Sequence, residues 1–135
     1  GDGEDGTLGH GGWQNQLEPK KVEAFAGQRV VDVSAGYSNS IANAGAGAIF
    51  TWGKGEDGCL GHGEDQSNQL LPKKVEALAD QRVVSASTGA AHSIALTADG
   101  AVFSWGEGGG GCLGHGEDLS NQLLPKKVEA WAPGQ

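Results

Sequence analysis

Positive charge is scarce in this chain. Arg29 and Arg82 are its only arginines, and nine lysines and arginines stand against seventeen aspartates and glutamates, for a formal net charge of −8. Affinity for nucleic acid is dominated by cation–phosphate attraction, so the deficit argues against direct DNA or RNA binding and for a basic protein partner. Cysteine is scarcer still. Cys59 and Cys112 are too few for a disulfide framework and read as reduced thiols of an intracellular protein, cytoplasmic or nuclear. No apolar run approaches the roughly 18 residues of a membrane helix. No signal peptide is visible, although the chain starts at Gly1 rather than at a methionine. What is abundant is glycine, 25 of the 135 residues, against a usual share of about 7%. Helix interiors disfavour glycine, so the composition points to turns and strands.

The glycines gather in a stretch that occurs three times. Residues 106–125 read GEGGGGCLGHGEDLSNQLLP, residues 53–72 read GKGEDGCLGHGEDQSNQLLP, and residues 1–19 read GDGEDGTLGHGGWQNQLEP. Pro19, Pro72 and Pro125 are 53 residues apart, as are Arg29/Arg82 and Trp52/Trp105. Between 57–80 and 110–133 only four of 24 positions differ. Such a period means that each unit solves the same packing problem against its neighbours.

Within one period the pattern gives four short strands. Residues 82–87 (RVVSAS) begin β-branched. Residues 92–97 alternate, with Ile94 and Leu96 on one face. Asp99-Gly100 is a hairpin signal. Residues 101–105 then put Ala101, Phe103 and Trp105 on one face. After the loop, residues 125–130 give a fourth strand with Val128 pointing inward. Its proline and lysines suit an edge. The equivalent segment 72–82 fits a helix equally well, with Val75, Leu78 and Ala79 on one face.

Taken together, Ser104-Trp105-Gly106, Gly111-Cys112-Leu113-Gly114-His115-Gly116, Pro125…Val128, Val83-Val84…Gly89…His92-Ser93 and Leu96-Thr97…Asp99-Gly100 resemble the regulator of chromosome condensation repeat, the unit of a seven-bladed β-propeller. The resemblance covers nearly the whole chain. It implies an all-β fold, a partial propeller of two complete four-stranded antiparallel blades plus one orphan outer strand, and it turns 72–82 into an outer strand. The implied division is 1–27 for the loop and outer strand of a preceding blade, 28–80 for the first complete blade and 81–135 for the second. Closed propellers have typically four to eight blades, so the chain is expected to be part of a longer propeller, or to cover its open blade faces by self-association. The first complete copy departs from the pattern, with Asn39 for His92, Asn43 for Leu96 and Ala46-Gly47 for Asp99-Gly100. A buried asparagine left unpaired costs roughly 1–3 kcal/mol, so the first blade is expected to be the less stable.

The loop looks at first like a chemical site. G-x-G-x-x-G occurs in each copy, but no helix start comes after it to hold a phosphate, and Glu56 and Asp57 would repel one. The aspartates of the first copy are similar to a nonapeptide calcium repeat, but the period is 53 and not nine. Cys59…His62 and Cys112…His115 supply two zinc ligands each where four are wanted, and the first copy has Thr7 for the cysteine. A catalytic Cys–His pair would need an orienting third group. The expectation is therefore no catalytic, cofactor or metal site. His10, His62 and His115 should pin the turn by bonding loop backbone, Leu60 and Leu113 should anchor it, and Trp52 and Trp105 should pack between blades. The acidic pairs Glu56/Asp57, Glu64/Asp65 and Glu117/Asp118 are the candidate contacts for a protein partner, with Gly12-Trp13 and Gln66 against Leu119 the places where the copies differ.

Under the resemblance the expected function is a protein-interaction or scaffold module, as in large multidomain proteins carrying these repeats. The alternative is part of a guanine-nucleotide exchange factor for a small GTPase, the activity of the family's founding member, although neither complete copy has room for an inserted wedge hairpin. A plant ultraviolet-B photoreceptor of the family carries Gly-Trp-Arg-His where this chain reads Gly89-Ala90-Ala91-His92, which argues against light sensing.

Overall fold

A computed structural model of the chain describes residues 1–25, 27–45, 47–109 and 112–129. Eight strands form two four-stranded antiparallel sheets. The first holds β1 (Val30–Ala35), β2 (Asn39–Ala44), β3 (Ile49–Gly53) and β4 (Gln69–Lys74); the second holds β5 (Val83–Thr88), β6 (His92–Thr97), β7 (Val102–Gly106) and β8 (Gln122–Lys127). Both run in chain order and share one register: Ile41 lies opposite Thr51 as Ile94 lies opposite Ser104. This is an all-β, partial-propeller architecture of two blades. No helix among the described residues is long and apolar enough to cross a membrane.

The hairpin signal at Asp99-Gly100 acts as its chemistry dictates. Thr97 N–H donates to Ala101 O (2.9 Å), Gly100 N–H donates to Thr97 O (3.0 Å), and the Thr97 hydroxyl donates to the Asp99 carboxylate. The first copy lacks the aspartate yet turns the same way, with Gly47 at φ 87° against 89° for Gly100 and Gly47 N–H on Ala44 O at 2.8 Å. Ala46 lies outside the described residues.

Four expectations about strands change. The outer strands start three residues ahead of their prolines, at Gln69 and Gln122, so Pro72 and Pro125 sit inside edge strands, where a missing N–H is tolerated. Pairing ends with Val75 N–H on Ile49 O and Val128 N–H on Val102 O, both 2.8 Å; Ala130 lies outside the described residues. The helical reading of 72–82 matches only the short segment beyond Val75, a 3-10 turn at Glu76–Leu78. The segment at 19–24 makes no strand pairing. It runs irregularly into a 3-10 turn at Glu23–Phe25, because its backbone groups have no neighbouring strand in the described chain. Lastly, β6 buries Ser93, Ala95 and Thr97 and leaves Ile94 44% and Leu96 40% exposed.

That inversion results from where the core sits. Ile41, Ile49, Val75 and Leu78 of the first repeat meet Val83, Ala95 and Trp105 of the second in one buried cluster between the sheets. Asn43, the counterpart of Leu96, is 2% exposed there. Its amide donates to Val83 O at 2.9 Å, while its Oδ1 has no partner. One face of β2 is thus covered by the second sheet, and the same face of β6 is open. On the other side of the first sheet, Phe25 sets its ring edge-on against Phe50 (5.4 Å) and Trp52 (5.6 Å). Phe25 stands one period ahead of Leu78.

Candidate functional site

The first two loops each cross the inner part of the sheet that follows them and bond its outer strand, and the second also leaves the first sheet. The first copy shows this through Gly11 N–H on Leu70 O (2.9 Å), the second through Gly63 N–H on Leu123 O (2.8 Å). An asparagine closes each loop at its base: Asn15 Oδ1 accepts from Gly3 N–H (2.9 Å), Asn68 from Gly55 and Asn121 from Gly108 (both 3.1 Å). At the crossing, Thr7 O accepts from Trp52 Nε1–H and from the Ser40 hydroxyl, both at 2.9 Å. Cys59 O accepts from the Ser93 hydroxyl at 3.0 Å. Trp52 and Trp105 lie beneath these crossings, 6% and 0% exposed, and Leu60 and Leu113 are buried at the loop centres.

The histidines bond differently from the expectation. The Thr51 hydroxyl donates to Leu60 O (2.6 Å) and meets His62 Nε2 at 2.9 Å; Ser104 does the same with Leu113 O (2.6 Å) and His115 Nε2 (3.1 Å). The hydroxyl has one proton and gives it to the carbonyl, so the imidazole donates. The ring therefore grips a strand hydroxyl rather than loop backbone. His10 stands beside Lys20 and Glu23. The thiols face elsewhere: Cys59 Sγ donates to Lys54 O at 3.0 Å and Cys112 Sγ to Glu107 O at 3.1 Å. Thiol and imidazole are thus turned to separate partners, and both cysteines are free, Cys59 buried and Cys112 exposed. Burial pushes the Cys59 thiol up from its ordinary value, so it stays protonated.

His62 carries a pH prediction. Burial, reinforced by the Lys73 charge, lowers its pKa to about 4 against an ordinary 6.5. The unfolded chain then takes up the proton first. Stability is complete above pH 6.5 and drains away between there and about pH 4. With the solvent-facing part of the ring allowed for, the loss from pH 7 to pH 5 should be about 1 kcal/mol. Urea midpoints at the two pH values check it: the drop should shrink in His62→Gln.

The acidic pairs divide. Asp65 is held by Lys73 at 2.8 Å and by the amide and hydroxyl of Ser67, Asp118 by Lys126 at 2.9 Å and by Ser120. Lys73 first, then Ser67, pulls the Asp65 carboxyl well below the usual range; Ser120 first, then Lys126, does so for Asp118. These ion pairs are solvent-exposed and add little stability; their work is to fix the loop exit onto the outer strand. Glu64 and Glu117 are exposed beside them. Glu56 pairs with Lys54 at 3.0 Å, and Asp57 sits at φ 62° in the bend of a 3-10 turn.

Glu56 and Asp57 face a cavity of about 160 Å³ at the joint between the sheets, whose walls include Tyr37, Asn39, Cys59 and Ala91. It adjoins a larger cleft of about 640 Å³, where Asp2, Glu4 and Asp5 of the first loop face the turn between β1 and β2. Tyr37, Ser38, Asn39 and Lys54 belong to both. Five carboxylates, Asp2, Glu4, Asp5, Glu56 and Asp57, therefore share one depression, where Lys54 is the single cationic side chain among the described residues. Asn39 is 2% exposed, and neither of its side-chain polar atoms has a partner.

Sequence reasoning points to Glu56 and Asp57 but not to Asp2, Glu4, Asp5, Tyr37 or Asn39 as one site. The signal was present in the comparison of copies. Asn39 stands where the second copy has His92, and Tyr37 where it has Ala90. Trp13, the other departure, is 64% exposed, and Leu119 is 53% exposed.

The profile described as the regulator of chromosome condensation (RCC1) repeat matches residues 1–42, 46–96 and 99–132, and a second RCC1 repeat profile matches 83–112. The human E3 ubiquitin-protein ligase HERC2 is 45% identical over 131 residues, which is 96% of this chain and 3% of that protein. The ultraviolet-B receptor UVR8 of Arabidopsis thaliana is 35% identical over 127 residues, 94% of this chain and 28% of that protein. The crystal structure of human WBSCR16 superposes with a TM-score of 0.84 at 28% identity, over 94% of this chain and 31% of that one. The chain thus spans a small part of the relatives it matches.

Proposed function

The chain belongs to the regulator of chromosome condensation repeat family, and on that premise we propose that it is a protein-interaction segment of a β-propeller whose partner presents a basic surface. The observation that carries this is the depression lined by Asp2, Glu4, Asp5, Glu56 and Asp57 around Lys54. Converging carboxylates around a cleft set a negative potential that draws cations and speeds their arrival. The exposed Glu64 and Glu117 line neither cavity, and Asp65 and Asp118 are tied to the outer strands. The free thiols suit a reducing, intracellular setting.

A second surface has its own support. Ile94 and Leu96 are 44% and 40% exposed and line a shallow hollow of about 200 Å³ with Ala86 and Val102. In the first sheet the counterparts Ile41 and Asn43 are buried under the second sheet. The face is therefore built for another blade of the same kind.

The acidic depression is tested by a lysine- and arginine-rich octapeptide at 50 and 200 mM salt, read by fluorescence anisotropy. Neutralising it with Asp2→Asn, Glu4→Gln, Asp5→Asn, Glu56→Gln and Asp57→Asn together should weaken binding by about tenfold or more and flatten the salt dependence. Glu64→Gln with Glu117→Gln should change it by less than about threefold. Equal losses in the two variants would remove the assignment of the surface to this depression.

A further inference from the structure

The buried joint between the sheets has two halves, and the chain carries a spare of each. In the joint, the first sheet gives Ile41, Asn43 and Ile49, and the second answers with Val83, Ala95 and Trp105. The spare of the first half is Ile94, Leu96 and Val102 on the second sheet, with Ile94 and Leu96 44% and 40% exposed. The spare of the other is Val30, Ala42 and Trp52 on the first sheet. Beside them stands Val33, 66% exposed, where its counterpart Ala86 packs against the joint. The two spares suit each other. Leu96 replaces Asn43, whose Oδ1 is buried without a partner, and the larger Val33 for Ala86 offsets the smaller Val102 for Ile49.

The cysteines differ in the same sense. Each thiol bonds its own loop alike, Cys59 to Lys54 O and Cys112 to Glu107 O. Cys59 is buried where the second sheet meets its loop through Ser93. Cys112 is exposed, and no sheet follows it among the described residues. On the first sheet, the path that such a loop takes is held by residues 7–11, through Thr7 O on Trp52 Nε1–H and Gly11 N–H on Leu70 O. Residues 7–11 read TLGHG and residues 112–116 read CLGHG, so one can replace the other without losing a backbone bond.

We infer that the open face of the second sheet receives the first sheet of a second copy of this chain, head to tail. The 112–116 loop then displaces residues 7–11 of that copy, and β8 stands where its residues 16–21 make no strand pairing. This rests on the reading that the face is built for a blade. A second copy is the occupant because the chain itself carries the matching half, and exchange of a near-identical segment is a ready route to association. The exchanged loops carry the same bonds, so the gain comes from burying Ile94, Leu96 and Val33, which makes the association a weak one. The charge of −8 on each copy opposes it. Salt should therefore strengthen it, whereas salt weakens the binding of a basic partner.

Light scattering on the whole chain, from about 10 µM to about 1 mM, should show mass rising with concentration, and more so at 200 than at 50 mM salt. The rise should level at about two to four copies, since closed propellers typically hold four to eight blades. Ile94→Asp and Val33→Asp change exposed side chains, and each should give a folded monomer. Mixed in equal amounts they should give a dimer, because one keeps the open face and the other the matching half. A brief iodoacetamide pulse, read by peptide mass spectrometry, should label Cys112 at least about threefold more slowly at the high concentration than at the low one, with Cys59 slow at both. If Val33→Asp associates like the parent, or the mixture stays monomeric, the contact is not head to tail and the inference fails. Equal labelling of Cys112 overturns the exchange. A monomer throughout also overturns the inference, and two copies joined by a long flexible linker then decide the reading beneath it. There, Ile94→Asp in the leading copy should still lower the urea midpoint if the face takes a blade; no change means that this reading fails too.

Discussion

Trp105→Ala is expected to abolish the cooperative unfolding transition. The indole is fully buried, and the cluster around it draws Ile41, Ile49, Val75 and Leu78 from one repeat and Val83 and Ala95 from the other. Truncating a buried tryptophan costs about 3–5 kcal/mol, because the lost transfer energy is joined by the cavity left behind. A domain's whole margin is about 5–15 kcal/mol, and this cluster is the buried apolar contact between the two sheets. Urea denaturation followed by far-ultraviolet circular dichroism should show a sloping loss of strand signal in place of a sigmoid. Trp52→Ala is the comparison. Trp52 lies on the outer side of the first sheet under Phe25 and the first loop, so its loss should free residues 1–25 and lower the midpoint while keeping a transition. A sigmoid of unchanged midpoint in Trp105→Ala would mean that the sheets fold independently of their joint.

The difference between the two tryptophans marks what the sequence could and could not tell. Strand number, order and hairpins were legible because they are local: alternation along 92–97 and Asp99-Gly100 need only near neighbours to act. The period made the second sheet a copy of the first. Which face of a strand is buried was not legible. Ile94 and Leu96 read as core by hydropathy, and in the first sheet their counterparts Ile41 and Asn43 are core, but the covering layer over Ile94 and Leu96 is absent from the described residues. Burial in a blade is decided by the neighbouring blade, and no pattern within 92–97 reports that. The same holds for 19–24, where the residues of an outer strand are present without a partner to pair them.

The acidic residues show the limit in another form. Six read alike because they occur as Glu-Asp pairs in a loop. Only their partners distinguish them: Lys73 and Ser67 claim Asp65, Lys126 and Ser120 claim Asp118, while Glu56 and Asp57 border a cavity. The histidines read as structural without their partners being evident, because Thr51 and Ser104 lie eleven residues away on a strand. Repetition gave the better clue. What recurs in every copy, the glycines, the closing asparagine and Leu-Gly-His, builds the joint. What changes between copies at the same place, Tyr37 for Ala90 and Asn39 for His92, lies in the depression.

A pair of glycines then separates joint from loop. Gly61 and Gly114 are the same position in successive copies, at φ 78° and 73°. Alanine at either meets the left-handed backbone strain of about 1–2 kcal/mol. Space differs. At Gly61 the added methyl group would stand 2.9 Å from Trp105 Nε1 and 3.2 Å from its Cδ1, whereas at Gly114 it meets Val128 Cγ1 at an ordinary 3.5 Å. The indole at Gly61 is enclosed on every side, so relief requires the loop to lift or the core to repack, at a further cost of about 1–3 kcal/mol. Gly61→Ala should therefore lower the urea midpoint well beyond Gly114→Ala, and amide exchange should quicken in β6 and β7 in the first variant alone. If the two alanines cost the same, the loop's contact with Trp105 does not hold the sheets together, and the recurring geometry of the Leu-Gly-His turn serves only the loop itself. If they differ as expected, the excess measures the grip of one repeat on the next, taken at a single methyl group in an otherwise near-identical stretch of chain.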